Sequence, residues 1–289
     1  MNLKNTLACF VLSAFVLPAA GLYAQAPKVE FPAASPTSTV KQRVGLTDIE
    51  VVYARPGIKD RKIFGGLVPY GEVWRTGANQ ATKVTFSTDL KFGGTSVPAG
   101  SYALFTIPGE KEWTVILSKV TGQWGAYRYD AKDDVARATV APVKLSEPVE
   151  TFLIDVNNIR DESATLNLVW EKTCVPVKLE MDITPMLVSQ IDQVMASNEE
   201  KKPYAQAAMF YLDHGLDLKK AAAWMDEAIK AQPDAFYLIY RKGLILEKLG
   251  DKSGALAAAQ KSLDMASKAE GGIRDEYTRL NKELIARLK

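Results

Sequence analysis

The chain has 289 residues, of which 47% are hydrophobic and 24% charged, and a formal net charge of +2. That length suits one large globular domain or two ordinary ones, and the apolar share is enough to build their cores. So even a charge balance lacks the basic surplus that displaces counterions from phosphate, which excludes a dedicated nucleic-acid binder.

The N-terminus reads as an export signal. Lys4 supplies a positive start, Leu7 to Ala20 an apolar core broken by Pro18, and Gly21 to Ala26 a small-residue cleavage region. The apolar run is too short to span a bilayer. Two cuts compete, after Ala24 or after Ala26; Pro27 would follow the second and disfavours it, so the expected signal peptide is 1–24 with Gln25 as the new N-terminus. No small-residue lipobox precedes Cys9, and no later stretch is apolar enough for a transmembrane segment. The expected location is periplasmic or extracellular. Cleavage removes Cys9 and leaves Cys174 alone, so stability must come from packing and not from an internal disulfide. Cys174 itself is expected as a buried strand residue.

Residues 25–38 are rich in Pro, Ser and Ala and read as a flexible leader. From about residue 39 to 182 the pattern is that of short strands. Ile49 to Tyr53 is β-prone and ends at Arg55-Pro56-Gly57. Lys83 to Phe86 and Asp89 to Phe92 are separate short segments, the second closed by a Gly93-Gly94 turn. Ser101 to Ile107 alternates, with Tyr102, Leu104 and Thr106 on one face and Ala103, Phe105 and Ile107 on the other. A turn at Pro108 to Lys111 predicts a hairpin with Glu112 to Ser118. Asp130, Asp133 and Asp134, interleaved with Arg128, Lys132 and Arg137, read as a solvated loop. Thr151 to Val156, Ser163 to Glu171 and Thr173 to Leu179 supply three more strands, with Ala164, Leu166, Leu168 and Trp170 sharing a face. Such strands separated by Gly/Pro turns predict an antiparallel β-sandwich, or a barrel-like closure.

After Thr184-Pro185 the signals become helical. Met186 to Met195 opens a helix, Asn198 to Pro203 interrupts it, and the rest of 186–289 is rich in Ala, Leu and Lys. Ala221 and Ala228 are followed thirty-four residues later by Ala255 and Ser262. The turn Leu216-Asp217 recurs as Gly250-Asp251, Pro233 takes the terminal-proline slot, and Gly243 takes a small-residue slot between helices. This is the period of tetratricopeptide repeats, in which small residues let antiparallel helices approach closely. Tyr277, Leu280, Leu284, Ile285 and Leu288 form the apolar stripe of a capping helix. The expected fold is therefore an N-terminal antiparallel β-sandwich followed by tetratricopeptide-like α-helical hairpins.

Catalytic signatures are sparse. His214 is the one histidine, so with a single mature cysteine neither an ordinary zinc site nor a Ser-His-Asp or Cys-His arrangement can be assembled. No phosphate-binding loop or EF-hand is present, and no metal or cofactor is expected. The densest polar and aromatic stretch is Tyr53 to Thr82, which carries Tyr53, Arg55, Arg61, Tyr70, Trp74, Arg75 and Asn79 among several glycines. Arginines offer forked donors to carboxylate or phosphate, aromatics offer flat faces to a sugar or another ring, and glycines allow close backbone approach. One reading is a ligand-binding surface formed by those seven residues. The other is an irregular crossover whose Trp74 plugs the core and whose arginines bond carbonyls.

The same stretch carries a resemblance. Tyr53-Ala-Arg-Pro, Ile63-Phe-Gly-Gly-Leu-Val-Pro-Tyr-Gly71, Val73-Trp-Arg-Thr-Gly-Ala-Asn79, Val97-Pro-Ala-Gly-Ser-Tyr102 and Phe105-Thr-Ile-Pro-Gly109, followed by Trp113-Thr-Val-Ile, resemble domain of unknown function 2911 (DUF2911) over about residues 38–182. Asp60 stands where that family leads one to expect glycine before Arg61. The resemblance implies a β fold and a secreted protein of the kind found chiefly in Bacteroidota, and it implies no catalytic residue. Two functions remain in view. One is a non-catalytic envelope protein, with a small polar ligand or glycan on the β part and a protein partner on the helical repeats. The alternative is a carboxylate-dependent enzyme acting on glycans, with Glu72, Asp60 and Glu112 as its candidate groups.

Overall fold

A computed structural model describes residues 31–289; the expected signal peptide and its cleavage point lie outside the described residues. Among the described residues ten strands and six α-helices follow one another, strands first. The strands are β1 (Thr37–Val44), β2 (Thr47–Ala54), β3 (Thr82–Phe86), β4 (Leu90–Phe92), β5 (Thr95–Val97), β6 (Gly100–Ile107), β7 (Trp113–Ser118), β8 (Asp134–Val140), β9 (Val143–Arg160) and β10 (Ser163–Glu180). They form a six-stranded sheet in the order β1-β2-β3-β6-β7-β8 and a four-stranded sheet in the order β5-β4-β10-β9, antiparallel throughout.

The two sheets share one core, which makes the arrangement a sandwich. Strand alternation supplies it: Val51 and Tyr53, Val84 and Phe86, Tyr102 and Leu104, and Val115 and Leu117 from one sheet meet Ile154, Leu166, Leu168, Trp170 and Val177 from the other. The expected hairpin forms with Phe105 opposite Ile116. The opposite face of that hairpin is also apolar. Ala103, Phe105 and Ile116 join Ala81 in a smaller cluster on the outer face of the six-stranded sheet, with Val73, Ala126 and Tyr129 packed over it.

Three expectations are corrected. Ser163 to Glu171 and Thr173 to Leu179 are one strand, β10; Glu171 takes φ 50 at a register shift, so the chain bulges there without ending. Asp134, read as part of a solvated loop, opens β8. That strand turns small Ala136 and Ala138 inward and Arg137 outward. Gly93, in the β4–β5 turn, lies so close to this strand that a Cβ on it would overlap that of Ala138. The strand pattern also begins at Thr37, two residues earlier than expected, and the preceding residues are tied down, with Pro36 O accepting from Arg55 N at 2.9 Å.

The helices are α1 (Thr184–Ala196), α2 (Tyr204–Asp213), α3 (Leu218–Ala231), α4 (Phe236–Leu249), α5 (Lys252–Ala266) and α6 (Gly272–Leu288). Pro185 opens α1, where its missing N–H has no partner to lose. Asp217 caps α3 by accepting from Lys219 N and Lys220 N at 3.0 and 3.1 Å, and Asp251 caps α5 by accepting from Gly254 N at 2.9 Å. Gly250 ends α4 at φ 82. Ala221, Ala228, Ala255 and Ser262 are all buried at helix contacts. A Cβ on Gly243 would lie 3.1 Å from Leu284 Cδ2 and 3.5 Å from Ala255 O. Gly243→Leu is therefore expected to overpack the α4–α5–α6 contact and to destabilise the helical part by about 1–3 kcal/mol in chemical denaturation. An unchanged midpoint would mean the helices are packed more loosely there. No helix among the described residues is long and apolar enough to cross a membrane.

Candidate functional site

Four of the seven sequence candidates serve the fold. Tyr53 is 2% exposed, and its hydroxyl accepts from Ile154 N at 2.9 Å and donates to Ile154 O at 3.3 Å, which links the two sheets. Arg55 Nε donates to Phe152 O at 2.9 Å. Arg61 donates to two nearby carbonyls, Nε to Ile58 O at 2.9 Å and Nη2 to Gly57 O at 2.7 Å. Trp74 is 8% exposed, stacks on Trp170 at 5.8 Å and 17°, meets Phe152 and Phe64 edge-on, and donates Nε1–H to Gly77 O at 3.1 Å. Around Arg61, Lys59 and Asp60 both adopt left-handed φ, 50 and 59, so Asp60 holds the conformation that a glycine takes without Cβ strain.

The other three are placed differently. Tyr70 is 41% exposed and rests on Gly65, where a Cβ would lie 2.7 Å from its ring. Asn79 is exposed at φ 61. Arg75 is half-buried and lies outside the strands, between Trp74, bridged to Thr106, and Thr76 at φ 53; Val73, two residues before it, packs in the outer cluster. Its Nε is buried and has no hydrogen-bond partner among the described residues.

A second segment comes to this place from far along the chain. The connection from Lys119 to Asp133 folds back beside the start of β3. Ala81 N donates to Gln123 O at 2.8 Å, Gly125 N donates to Asn79 O at 2.9 Å, and Thr82 N donates to Arg75 O at 3.2 Å. Asn79 to Thr82 is thus tied to both the Arg75 segment and the Gln123–Gly125 segment. Trp124, bridged to Gln80, is 62% exposed, and Tyr127 is 85% exposed. The Tyr127 ring lies against Gly125, where a Cβ would sit 2.5 Å from its Cε2. Nearer β8, Tyr129 packs on Phe105 at 5.1 Å and donates to Asp134 Oδ2 at 2.8 Å, which also accepts from Arg137 Nε at 2.7 Å. Burial pushes the Tyr129 phenol above its ordinary value, so this contact persists through neutral pH.

Buried polar atoms without partners concentrate here. Four occur among the described residues: Arg75 Nε, Gln123 Oε1, Asp134 Oδ1 and Asn281 Oδ1. The first two belong to these two segments, and the third is the first residue of β8. Buried polar groups are normally paired, so these atoms mark side chains whose hydrogen-bonding capacity the fold leaves unused. Sequence reasoning passed over Gly122-Gln-Trp-Gly-Ala-Tyr-Arg-Tyr129, whose density of aromatics and glycines is comparable to that of the Tyr53–Asn79 stretch.

The carboxylates Glu72, Asp60 and Glu112 are each exposed. His214 caps the C-terminus of α2 with Nδ1 2.9 Å from Phe210 O, and its Nε2 is 3.9 Å from Glu162 in the β9–β10 turn. Cys174 is half-buried, less enclosed than expected. Burial first, and Asp155 second, raise its thiol above the ordinary range. The thiolate is the reacting form, so alkylation of native Cys174 by iodoacetamide at pH 8 is expected to be several-fold slower than in the unfolded chain. Equal rates would place the thiol in open solvent.

Residues 35–179, half of the chain, match a family model described as protein of unknown function (DUF2911). No curated protein and no solved structure gives a significant match.

Proposed function

The chain belongs to the DUF2911 family, and from that premise and the geometry above we propose that it is an exported, non-catalytic binding protein. Its β part takes a polar ligand on the outer face of the six-stranded sheet, at Arg75 and Asn79. The single observation that carries this is that the Arg75 side chain makes no hydrogen bond and no ion pair among the described residues. Arg55 and Arg61, in the same stretch, are committed to main-chain carbonyls, whereas the fork of Arg75 bonds to nothing among the described residues. Tyr53, Arg55, Arg61 and Trp74 then act as the frame of the site, and Tyr70 flanks it.

Thermal unfolding of the purified protein against a panel of carboxylates, phosphates and oligosaccharides tests the reading. A ligand of this site raises the midpoint of the parent protein, because it binds the folded form alone. Arg75→Ala is expected to remove about 2 kcal/mol of binding, roughly a thirtyfold loss of affinity, with the fold intact. No midpoint shift across the panel, or equal shifts in Arg75→Ala, would overturn it.

The helical part supports a second role, as a tetratricopeptide-like docking module. The support is periodic: Asp217 and Asp251 cap α3 and α5 in the same way, and Ala221 and Ala255 are each fully buried, one repeat apart. A protein partner would be bound by this half independently of Arg75.

A further inference from the structure

We propose that the ligand of the outer face is an acidic glycan, a chain bearing uronic-acid carboxylates, held across Trp124 and Tyr127 with Arg75 and Arg128 as its anion contacts. This rests on the polar-ligand reading of Arg75 and names the ligand's chemical class.

Three observations converge. First, the aromatics are presented and not packed. Trp124 and Tyr127 are 62% and 85% exposed, yet both are positioned, Trp124 by its bridge to Gln80 and Tyr127 by the absence of a side chain at Gly125. Large rings held in solvent present flat apolar faces, which suit the C–H faces of pyranose rings. Second, the segments that carry Arg75 and the aromatics are joined through the main chain, with Thr82 N donating to Arg75 O and Ala81 N to Gln123 O, so an arginine free of hydrogen bonds is held near them in the fold.

Third, the charges sort by partner. Lys119 pairs with Asp133, Lys132 with Asp130 and Arg137 with Asp134, so those cations are neutralised locally. Arg75 and Arg128 carry no ion pair among the described residues, and Arg128 adjoins Tyr127. The net local demand is for negative charge beside the aromatic faces. A neutral sugar would leave it unmet, and a small inorganic anion would leave the aromatics unused. A carboxylate on a sugar ring meets both. The open placement of the two aromatics fits an internal stretch of a chain better than a single enclosed sugar.

Isothermal titration of the purified protein with galacturonate and mannuronate hexamers, and with a neutral glucose hexamer as control, tests the assignment. At least one uronate hexamer is expected to bind about tenfold or more tightly than the neutral one, with affinity falling as salt rises. Trp124→Ala and Tyr127→Ala should each weaken it about tenfold. Arg128→Ala should weaken it and flatten the salt dependence. These side chains are exposed, so circular dichroism should show each variant folded. Lack of binding by both uronates, equal binding of the neutral hexamer, or unchanged affinity in both aromatic variants would overturn the assignment. Its failure is separable from that of the broader reading. If small carboxylates or phosphates shift the parent protein and not Arg75→Ala, while the hexamers fail, Arg75 remains a polar-ligand site and the glycan is ruled out. A protein partner captured through Trp124 with no uronate binding would likewise overturn the glycan assignment.

Discussion

Trp74→Ala is expected to lower the unfolding free energy of the β part by about 3–5 kcal/mol, the cost of emptying a well-packed aromatic site. Trp74 lies between the sheets, stacked on Trp170 and edge-on to Phe152 and Phe64; Phe64 in turn meets Trp113 at 4.9 Å. Truncation removes these contacts and leaves a cavity lined by rigid rings, which cannot collapse to fill it. It also orphans Gly77 O, the acceptor of the indole N–H. Denaturant unfolding followed by tryptophan fluorescence measures the loss. Trp74→Phe should retain most of the packing and cost less. A loss below about 1 kcal/mol for Trp74→Ala would mean that the ring is a surface group and that the segment is free to contact ligand through it.

The second large effect is expected at the β4–β5 turn, and it comes with an internal control. Gly93 and Gly94 both have left-handed φ, 54 and 89. Alanine at either position carries the same kind of backbone strain, about 1 kcal/mol. Their surroundings differ: a Cβ at Gly94 meets nothing within 4 Å, whereas one at Gly93 would overlap the Ala138 side chain on β8. Gly93→Ala must therefore push the turn of one sheet away from the edge of the other. It should cost about 2–4 kcal/mol against about 1 kcal/mol for Gly94→Ala. Equal costs would mean that the two sheets do not approach each other there. The pair thus reads out sandwich closure specifically, since the turn conformation is common to both variants.

Legibility from the sequence followed the strength of local periodicity. The alternations in Ser101–Ile107 and Ser163–Glu171 place Tyr102, Leu104, Leu166 and Trp170 in the core, where the structure has them, because one residue's slip would expose the whole set. The continuity of β10 was hidden by Glu171 and Lys172, polar residues at a bulge that imitate a turn. The first half of β9, Val143 to Glu150, is mostly exposed, and Glu147 and Pro148 interrupt the alternation of Val143, Leu145 and Val149. β8 was hidden because its inward residues, Ala136 and Ala138, are small and weak strand formers, and alanine, Arg137 and Asp134 together look like a loop.

The candidate site was half legible for a different reason. Composition reveals that Tyr53, Arg55, Arg61 and Arg75 can form strong hydrogen bonds; it does not reveal whether the partner is a ligand or the protein's own carbonyl. Only the structure separates Arg55, bonded to Phe152 O, from Arg75, whose side chain bonds to nothing among the described residues. The contribution of Gln123 to Tyr127 depends on a chain reversal that pairs residues some forty positions apart, which no local pattern encodes.

The measurement that bears most directly on the central claim is an amide and indole nitrogen–proton spectrum of the full protein, titrated with whichever polar ligand raises its unfolding midpoint. The account predicts perturbations confined to Arg75, Asn79 to Ala81 and Gln123 to Arg128, including the Trp124 indole, with the resonances of α2 to α6 unmoved. Perturbations centred elsewhere, with these residues unchanged at saturation, would contradict it.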